Sequence, residues 1–304
     1  MNNKTLAIVF GALLLIYLLT KVFSGNRERS FDPEIMKVDT AEVNKLIIHP
    51  AQGEEMFEIS KTGNGWQLQR GNQQFQATSA AVGSLLSNLS SITAERVVTK
   101  NPERYKDYAV ADEGGTRIEL LNNQKKLADI VVGRFNFNQA TRSGLSYIKK
   151  FDDQSVYSVD GFLSMSLSQG FDSYRNKILT SLTSTDLTKL TLEENGESKI
   201  IMKMDSSWQT ASGEPLDSAS VASYLNTVRS VSGATFVNDQ SSVGDRIKGL
   251  KIEGNNMSAP VEIDCYTSRD TTHHFVIHSS TNSEGYFFSD SSGIYERVFQ
   301  KFPQ

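Results

Sequence analysis

Residues 78–92 read TSAAVGSLLSNLSSI, and residues 217–231 read DSASVASYLNTVRSV. In the first, apolar side chains fall at Val82, Leu85, Leu86, Leu89 and Ile92. In the second they fall at Val221, Tyr224, Leu225, Val228 and Val231. Both sets follow i, i+3, i+4, i+7, i+10, which is one stripe of an amphipathic helix. Thr78 and Asp217 stand at the same relative position, and both are N-cap residue types. Burying such a stripe contributes about 1.5–3 kcal/mol per large side chain, so it predicts a helix held against a sheet.

Working outward, the flanks match as well. VDTAEVNKLIIH (38–49) aligns with LTSTDLTKLTLE (182–193), pairing Lys45-Leu46 with Lys189-Leu190. Trp66 and Trp208 each precede a glutamine and follow a turn-like cluster, so each is expected near the start of a hairpin's second strand. After the first helix the apolar runs AERVV (94–98), RIELL (117–121), LADIVVG (127–133), LSYIKK (145–150) and SVYSV (155–159) read as strands. After the second, ATFV (234–237), VEIDCY (261–266), HHFVIH (273–278), GYFFS (285–289) and GIYERV (293–298) do the same, with Tyr147 matched to Tyr286. Short consecutive strands with tight turns favour antiparallel sheet. The expected fold is therefore α+β: a tandem duplication of an antiparallel-sheet-plus-helix unit, spanning 38–181 and 182–304. FDSYRNKIL (171–179) bridges the two and has no second counterpart.

Ahead of the repeat, TLAIVFGALLLIYLLT (5–20) carries no charge. As a helix it spans about 24 Å, against a hydrocarbon core of about 30 Å. If Lys21 snorkels, Val22 and Phe23 lengthen the span. Residues 1–23 are thus expected to be one transmembrane anchor that contacts the membrane through 5–23. A cleaved secretory signal and a buried core helix are the competing readings. Residues 24–37, with Asp32-Pro33, read as a short linker. Lys4 and the terminal amine lie on one side of the span and Lys21, Arg27 and Arg29 on the other, so the positive-inside rule does not favour a translocated C-terminus. A short head before one span is the usual form of a signal anchor, which puts the body outside the cytoplasm.

With 38% hydrophobic and 22% charged residues, the 304-residue chain has enough apolar surface to fold. A net charge of −4 argues against a broad nucleic-acid surface. The single cysteine, Cys265, excludes an intramolecular disulfide and cysteine-rich zinc sites.

A Trp-containing hairpin leads into the Val-Leu-Leu-Leu helix. Tyr105-Lys106-Asp107-Tyr108-Ala109-Val110 then precedes a strand, LADIVVG, SYIKK and VYSVD follow, and Arg175-Asn176-Lys177-Ile178-Leu179 closes the series before it restarts. This series resembles the DUF4340 family, a bacterial family of unknown molecular activity, over most of residues 38–240. Tyr105-Lys106-Asp107-Tyr108 departs from the family's usual Tyr-Gly-Leu form. Members typically carry an N-terminal membrane segment and are similar in context to proteins encoded beside gliding-motility-type ABC transporters. The resemblance implies a single-pass inner-membrane protein with its C-terminal body in the periplasm. It also implies an accessory subunit beside an ABC-type transporter permease or ATPase, or a related envelope protein. No catalytic residue is defined for the family, and none carries over.

Among chemistry-bearing patterns there is no Gly-Lys-Ser/Thr phosphate loop, no His-Glu-x-x-His, no Gly-x-Ser-x-Gly and no EF-hand loop. If His273, His274 and His278 share a strand, His274 and His278 lie on one face about 13 Å apart, too far to chelate one metal. Asp152-Asp153 reads as a solvated turn rather than a carboxylate pair. Trp66 and Trp208 read as helix-packing residues rather than sugar platforms. Tyr286-Phe287-Phe288 places aromatics on both faces of a strand, and Cys265 reads as a buried strand residue. No catalytic, cofactor or metal residue is assigned. The expected function is a non-enzymatic accessory or scaffold subunit. The alternatives are a module binding an envelope glycan, lipid or peptide between the two repeats, and an enzyme of unrecognised type.

Overall fold

Alternation of apolar and polar residues along short runs dictates strands with one wet face, and the computed structural model is mostly strand. It describes residues 11, 13–15, 33–63, 65–111, 114–139, 142–182 and 186–303. In chain order the elements are β1 (Glu34–Lys37), β2 (Lys45–His49), β3 (Phe57–Thr62), β4 (Gly65–Arg70), β5 (Gln73–Ala77), α1 (Ser79–Leu89), β6 (Ser91–Thr93) and β7 (Arg96–Thr99). A 3-10 turn over Pro102–Tyr108 leads to β8 (Thr116–Asn122), β9 (Lys125–Asn138), β10 (Ser143–Lys150), β11 (Val156–Asp160) and α2 (Leu163–Leu167). Then come β12 (Ile178–Ser181), β13 (Leu187–Glu194), β14 (Glu197–Met204), β15 (Ser207–Thr210), α3 (Ser218–Arg229) and β16 (Ser230–Ser232). The last strands are β17 (Val243–Gly254), β18 (Val261–Ser268), β19 (Phe275–Ser279) and β20 (Asn282–Ser289).

Two compact units form. One draws on the chain up to Lys61 and on Ala80–Gln169. The other draws on Thr62–Ser79 and Gly170–Gln304.

In the first unit the strands run β3-β2-β8-β9-β10-β11-β7, with antiparallel pairing throughout this series. Register places Ile59, Leu46, Leu120 in one row and Phe57, Ile48, Ile118, Ile130 in the next, and all seven are closed to solvent. α1 buries Val82, Leu85, Leu86 and Leu89, four of the five stripe positions expected of it; the fifth, Ile92, is buried on the strand β6. Thr78 does more than precede the helix, because its hydroxyl donates to the Tyr174 carbonyl at 3.4 Å. On the opposite sheet face Tyr108, Val110, Val131, Tyr147 and Val156 form a second cluster.

In the second unit the sheet runs β15-β14-β13-β17-β18-β19-β20, again antiparallel, and β12 pairs with β16. Asn195 and Gly196, both at positive φ, make the tight β13–β14 turn that Asn-Gly favours. Val221, Tyr224, Leu225 and Val228 of α3 share one apolar core with Leu190, Leu192, Ile252, Ile263 and Phe287. Asp217 caps the helix by accepting from the Ser220 amide at 2.8 Å. At the other end the Thr180 hydroxyl donates to the Val228 carbonyl at 2.7 Å, filling an acceptor the helix leaves open.

Several sequence expectations need correction. Val243–Gly254 carries no strand signal in its sequence, yet it forms β17 between β13 and β18. GIYERV (293–298) is not a strand: it enters a helical segment that buries Ile294, Tyr295, Val298 and Phe299, with Phe302 buried just beyond its end. Those positions recur at i+4, a helical spacing that brings them all to one core. ATFV (234–237) contributes a single bridge, Phe236 to Phe287. With β17 in place, Tyr147 and Tyr286 fall on the third and fourth strands of their β8–β11 and β17–β20 series. The expected anchor lies almost wholly outside the described residues. Of it, Gly11 and Leu13–Leu15 are described, and they are helical. Among the described residues no helix is long and apolar enough to cross a membrane.

Candidate functional site

The alternation that buries Ile118 and Ile130 turns Arg117, Glu119 and Asp129 to the other face of the first unit's sheet. Register sets His49 opposite Arg117, and Glu119 opposite Asp129. Arg117 grips Asp129 with two parallel bonds, Nε to Oδ1 at 2.9 Å and Nη2 to Oδ2 at 2.8 Å. Lys126 Nζ lies 2.5 Å from Asp129 Oδ2 and 2.8 Å from Glu119 Oε2. His49 Nε2 lies 3.1 Å from Glu119 Oε1. The Arg117 guanidinium sits 3.4 Å from the centre of the Phe151 ring. Beside this clamp a groove of about 600 Å³ is lined by Met36 and Lys37 of β1, Lys126 and Asp129 of β9, and Lys150 and Asp152 at the end of β10.

Burial alone would raise the Asp129 carboxyl. Hydrogen bonds from Arg117 and Lys126 outweigh it and hold the group below the usual carboxylate range. Glu119 behaves alike: burial pushes it up, and the bonds from Lys126 and His49 bring it down. The Asp129 bonds in turn raise Arg117 and Lys126. Two carboxylates kept ionised by fixed cations are poorly placed to deliver a proton near neutrality. What the clamp offers chemically is a rigid array of charge beside a half-apolar groove.

A stability consequence follows with a definite sign. Folded carboxyls depressed below their unfolded values stabilise the protein above the unfolded range, and that contribution is lost as pH falls through the folded range. Asp129→Asn is therefore expected to lower the melting temperature at pH 7. It should also flatten the loss of stability below about pH 4 that the wild type shows. Melting curves from about pH 2 to 7 test this, and an unchanged acid limb in the variant would show that the clamp does not stabilise the fold.

Of the other singled-out residues, Asp152 and Asp153 line the groove beside the clamp. Asp152 and Asp153 form a turn, as expected, with Asp153 accepting from Tyr157 Oη at 2.7 Å and the Ser155 amide at 3.0 Å. The three clustered histidines do not share a strand. His273 and His274 precede β19, with ring nitrogens 3.6 and 3.8 Å from Asp290 Oδ1. His278 lies within β19, stacked on Tyr286 at 4.2 Å, and burial lowers its pKa. Among the described residues no group of three or more His, Cys, Asp or Glu side chains is placed to hold a metal ion. Trp208 is in the second unit's core. Trp66 is half-buried and lines a groove of about 420 Å³ with Gln67, Gln74, Gln76 and Glu284. Phe287 points into the core, while Tyr286 and Phe288 occupy the other face. Cys265 is fully buried, and burial pushes its thiol up to about 12.

The segments that carry the family resemblance are joints of the fold. Tyr105 Oη donates to the Gln154 carbonyl at 2.7 Å, and the Tyr108 ring packs on Tyr147 at 4.8 Å. Arg175 is buried, with its guanidinium between Phe75 at 3.8 Å and Phe236 at 3.6 Å. Its Nη1 donates to Asn238 Oδ1 at 2.7 Å and Asp172 Oδ1 at 3.0 Å. The Asn176 carbonyl accepts from Asn282 Nδ2 and the Lys177 carbonyl from the Gly233 amide, each at 2.8 Å. The family described as "Domain of unknown function (DUF4340)" matches residues 66–246, more than half of the chain. The chain belongs to the DUF4340 family. Searches of curated proteins and of solved structures gave no match. The DUF4340 match begins at Trp66 and ends within β17, so it takes in the Arg117–Asp129 clamp and the Arg175 sandwich.

One feature had no signal in the local sequence pattern. β9 and β10 extend as a hairpin to Asn138 and Ser143, and α2 folds against it. Phe137, Phe162 and Met165 stand 46%, 52% and 55% exposed there. Phe162 stacks on the half-buried Phe135 at 5.1 Å.

Proposed function

We propose that this DUF4340 protein is a non-enzymatic, membrane-anchored accessory subunit with its body outside the cytoplasm, working beside an ABC-type transporter. The observation that carries the reading is at the leader. Leu13, Leu14 and Leu15 are helical and 60%, 49% and 59% exposed, inside a run from Thr5 to Thr20 that has no charge. An apolar helical surface in water is unfavourable, and a bilayer is the medium that relieves it. The transporter association rests on the family resemblance. Tandem duplication belongs to the same proposal. Its support is the order of elements shared once β5 and β7, which have no strand counterpart, are set aside: β2-β3-β4-α1-β6 then β8 to β11, and β13-β14-β15-α3-β16 then β17 to β20. The short pairs β1–β6 and β12–β16 recur alongside.

The test is purification of the full chain from its own membrane in mild detergent. Recovery of an ABC-type permease or ATPase at fixed ratio is expected, along with degradation of the body by protease added from the outer side. Repeated recovery of the chain alone would count against the reading. A second reading, a module that binds an envelope ligand, draws on the half-exposed Trp66 beside Gln67, Gln74 and Glu284. A thermal shift with a glycan, lipid or peptide, absent in Trp66→Ala, would favour it.

A further inference from the structure

The β9–β10 hairpin ends in an arrangement that the accessory-subunit reading does not use. Phe135 and Phe137 lie two apart on β9 and so point to the same face. Phe162 covers them, its ring 5.1 Å from Phe135 and 6.3 Å from Phe137. Met165 projects one turn further along α2. The platform is fixed from below. Ser146 Oγ donates to the Gly161 carbonyl at 3.1 Å and accepts from the Ser164 amide at 2.8 Å. Leu167 is completely buried. The exposed aromatics are therefore presented by a pinned scaffold rather than by a loose loop.

Two further facts choose the occupant. The first is charge. Between Arg134 and Asn138, Arg142 and Ser146, and Asp160 and Gln169, the charged residues are Arg134, Arg142 and one carboxylate, Asp160. Both arginines are exposed, and neither makes an ion pair among the described residues; Arg134 turns to the face opposite Phe135 and Phe137, its guanidinium 5.7 Å from the centre of the Tyr147 ring. The second is size. Three half-exposed side chains present roughly 300 Å², well short of the roughly 800 Å² per partner of a stable protein interface. Aromatic and methionine side chains flanked by arginines suit the boundary between acyl chains and anionic headgroups.

We infer that Phe137, Phe162 and Met165 insert into the headgroup–acyl boundary of an anionic bilayer, with Arg142 on lipid phosphates and Arg134 adding positive charge behind the tip. The hairpin tip is thus a membrane contact separate from the leader. It does not depend on a transporter partner, and its test reads the tip alone.

The full chain is reconstituted into vesicles of phosphatidylglycerol and phosphatidylcholine after NBD labelling of F137C or M165C. Cys265 is fully buried, so the added cysteine takes the label. An S198C variant serves as a reference, since Ser198 is exposed on β14. The expected result is a blue shift at 137 and 165. Quenching by lipids carrying a shallow acyl-chain spin label should be at least threefold stronger there than at 198. R134Q/R142Q, or vesicles without phosphatidylglycerol, should reduce it at least threefold. Equal quenching at 137 and 198 would overturn the inference. So would a blue shift without lipid quenching, which would mean that a protein covers the tip. Unchanged melting of the labelled variants confirms that the fold is intact in either case.

Discussion

Leu225→Asp is expected to unfold the second unit. Leu225 is 8% exposed and belongs to the cluster that joins α3 to β13, β17, β18 and the C-terminal segment. Removing it forfeits about 2–3 kcal/mol of burial. The replacement carboxylate enters an apolar cluster and costs several kcal/mol more, even if it takes up a proton. The sum exceeds about 4 kcal/mol, a large share of the roughly 5–15 kcal/mol that holds a typical domain together. Loss of the near-ultraviolet signal from the buried Trp208, with rapid proteolysis after residue 170, is the expected readout. Leu225→Met should cost less than about 1.5 kcal/mol and keep the signal. Leu86→Asp should act in the same way on the first unit. A melting temperature within a few degrees of wild type for Leu225→Asp would show that α3 does not hold this sheet.

Arg175→Ala is expected to cost about 2–4 kcal/mol, and Arg175→Lys to recover little of it. The guanidinium plane fits between Phe75 and Phe236, 3.8 and 3.6 Å from their ring centres. A flat, weakly hydrated cation can lie between two rings, whereas a compact ammonium must be stripped of water to enter. Its partner Asp172 is 40% exposed, so truncation leaves no trapped negative charge. The loss should therefore come from the vacated space, the two ring contacts and the bond to Asn238. Urea unfolding of the three proteins decides it. Wild-type stability in Arg175→Lys would mean that only the charge matters.

The elements differ in how far their sequences betray them. Both long helices are legible, because only a helical period brings the first four apolar positions of each stripe to one side, while the fifth, Ile92 or Val231, sits on the short strand that follows. Most strands in the 117–159 run are legible too, since apolar residues cluster there between turn residues. β17 is not. Its glycines at 244, 249 and 254 and its charges at 245, 246, 248, 251 and 253 read as loop. The pairing accounts for Gly249: Arg246 reaches Glu193 and Asp264 by crossing it, and a Cβ there would stand 1.9 Å from Nη2. Gly293–Val298 misleads in the opposite way, because its β-branched and aromatic residues suit a strand while their burial follows a helix. The Arg117–Asp129 clamp needs strand register, and the Arg175 sandwich needs Phe75 and Phe236, which lie far from it on either side in sequence. The exposed tip is hidden because phenylalanine reads as core until a structure shows it standing in water.

The second unit takes its first piece from Thr62–Ser79 and the rest from Gly170 onward. During synthesis the Phe75 strand leaves the ribosome long before Phe171, Arg175 and Phe236 exist. It must wait unclasped while the intervening chain folds. A polypeptide begun at residue 170 would lack that strand for good, so trimming this protein to its latter half should yield an incomplete body.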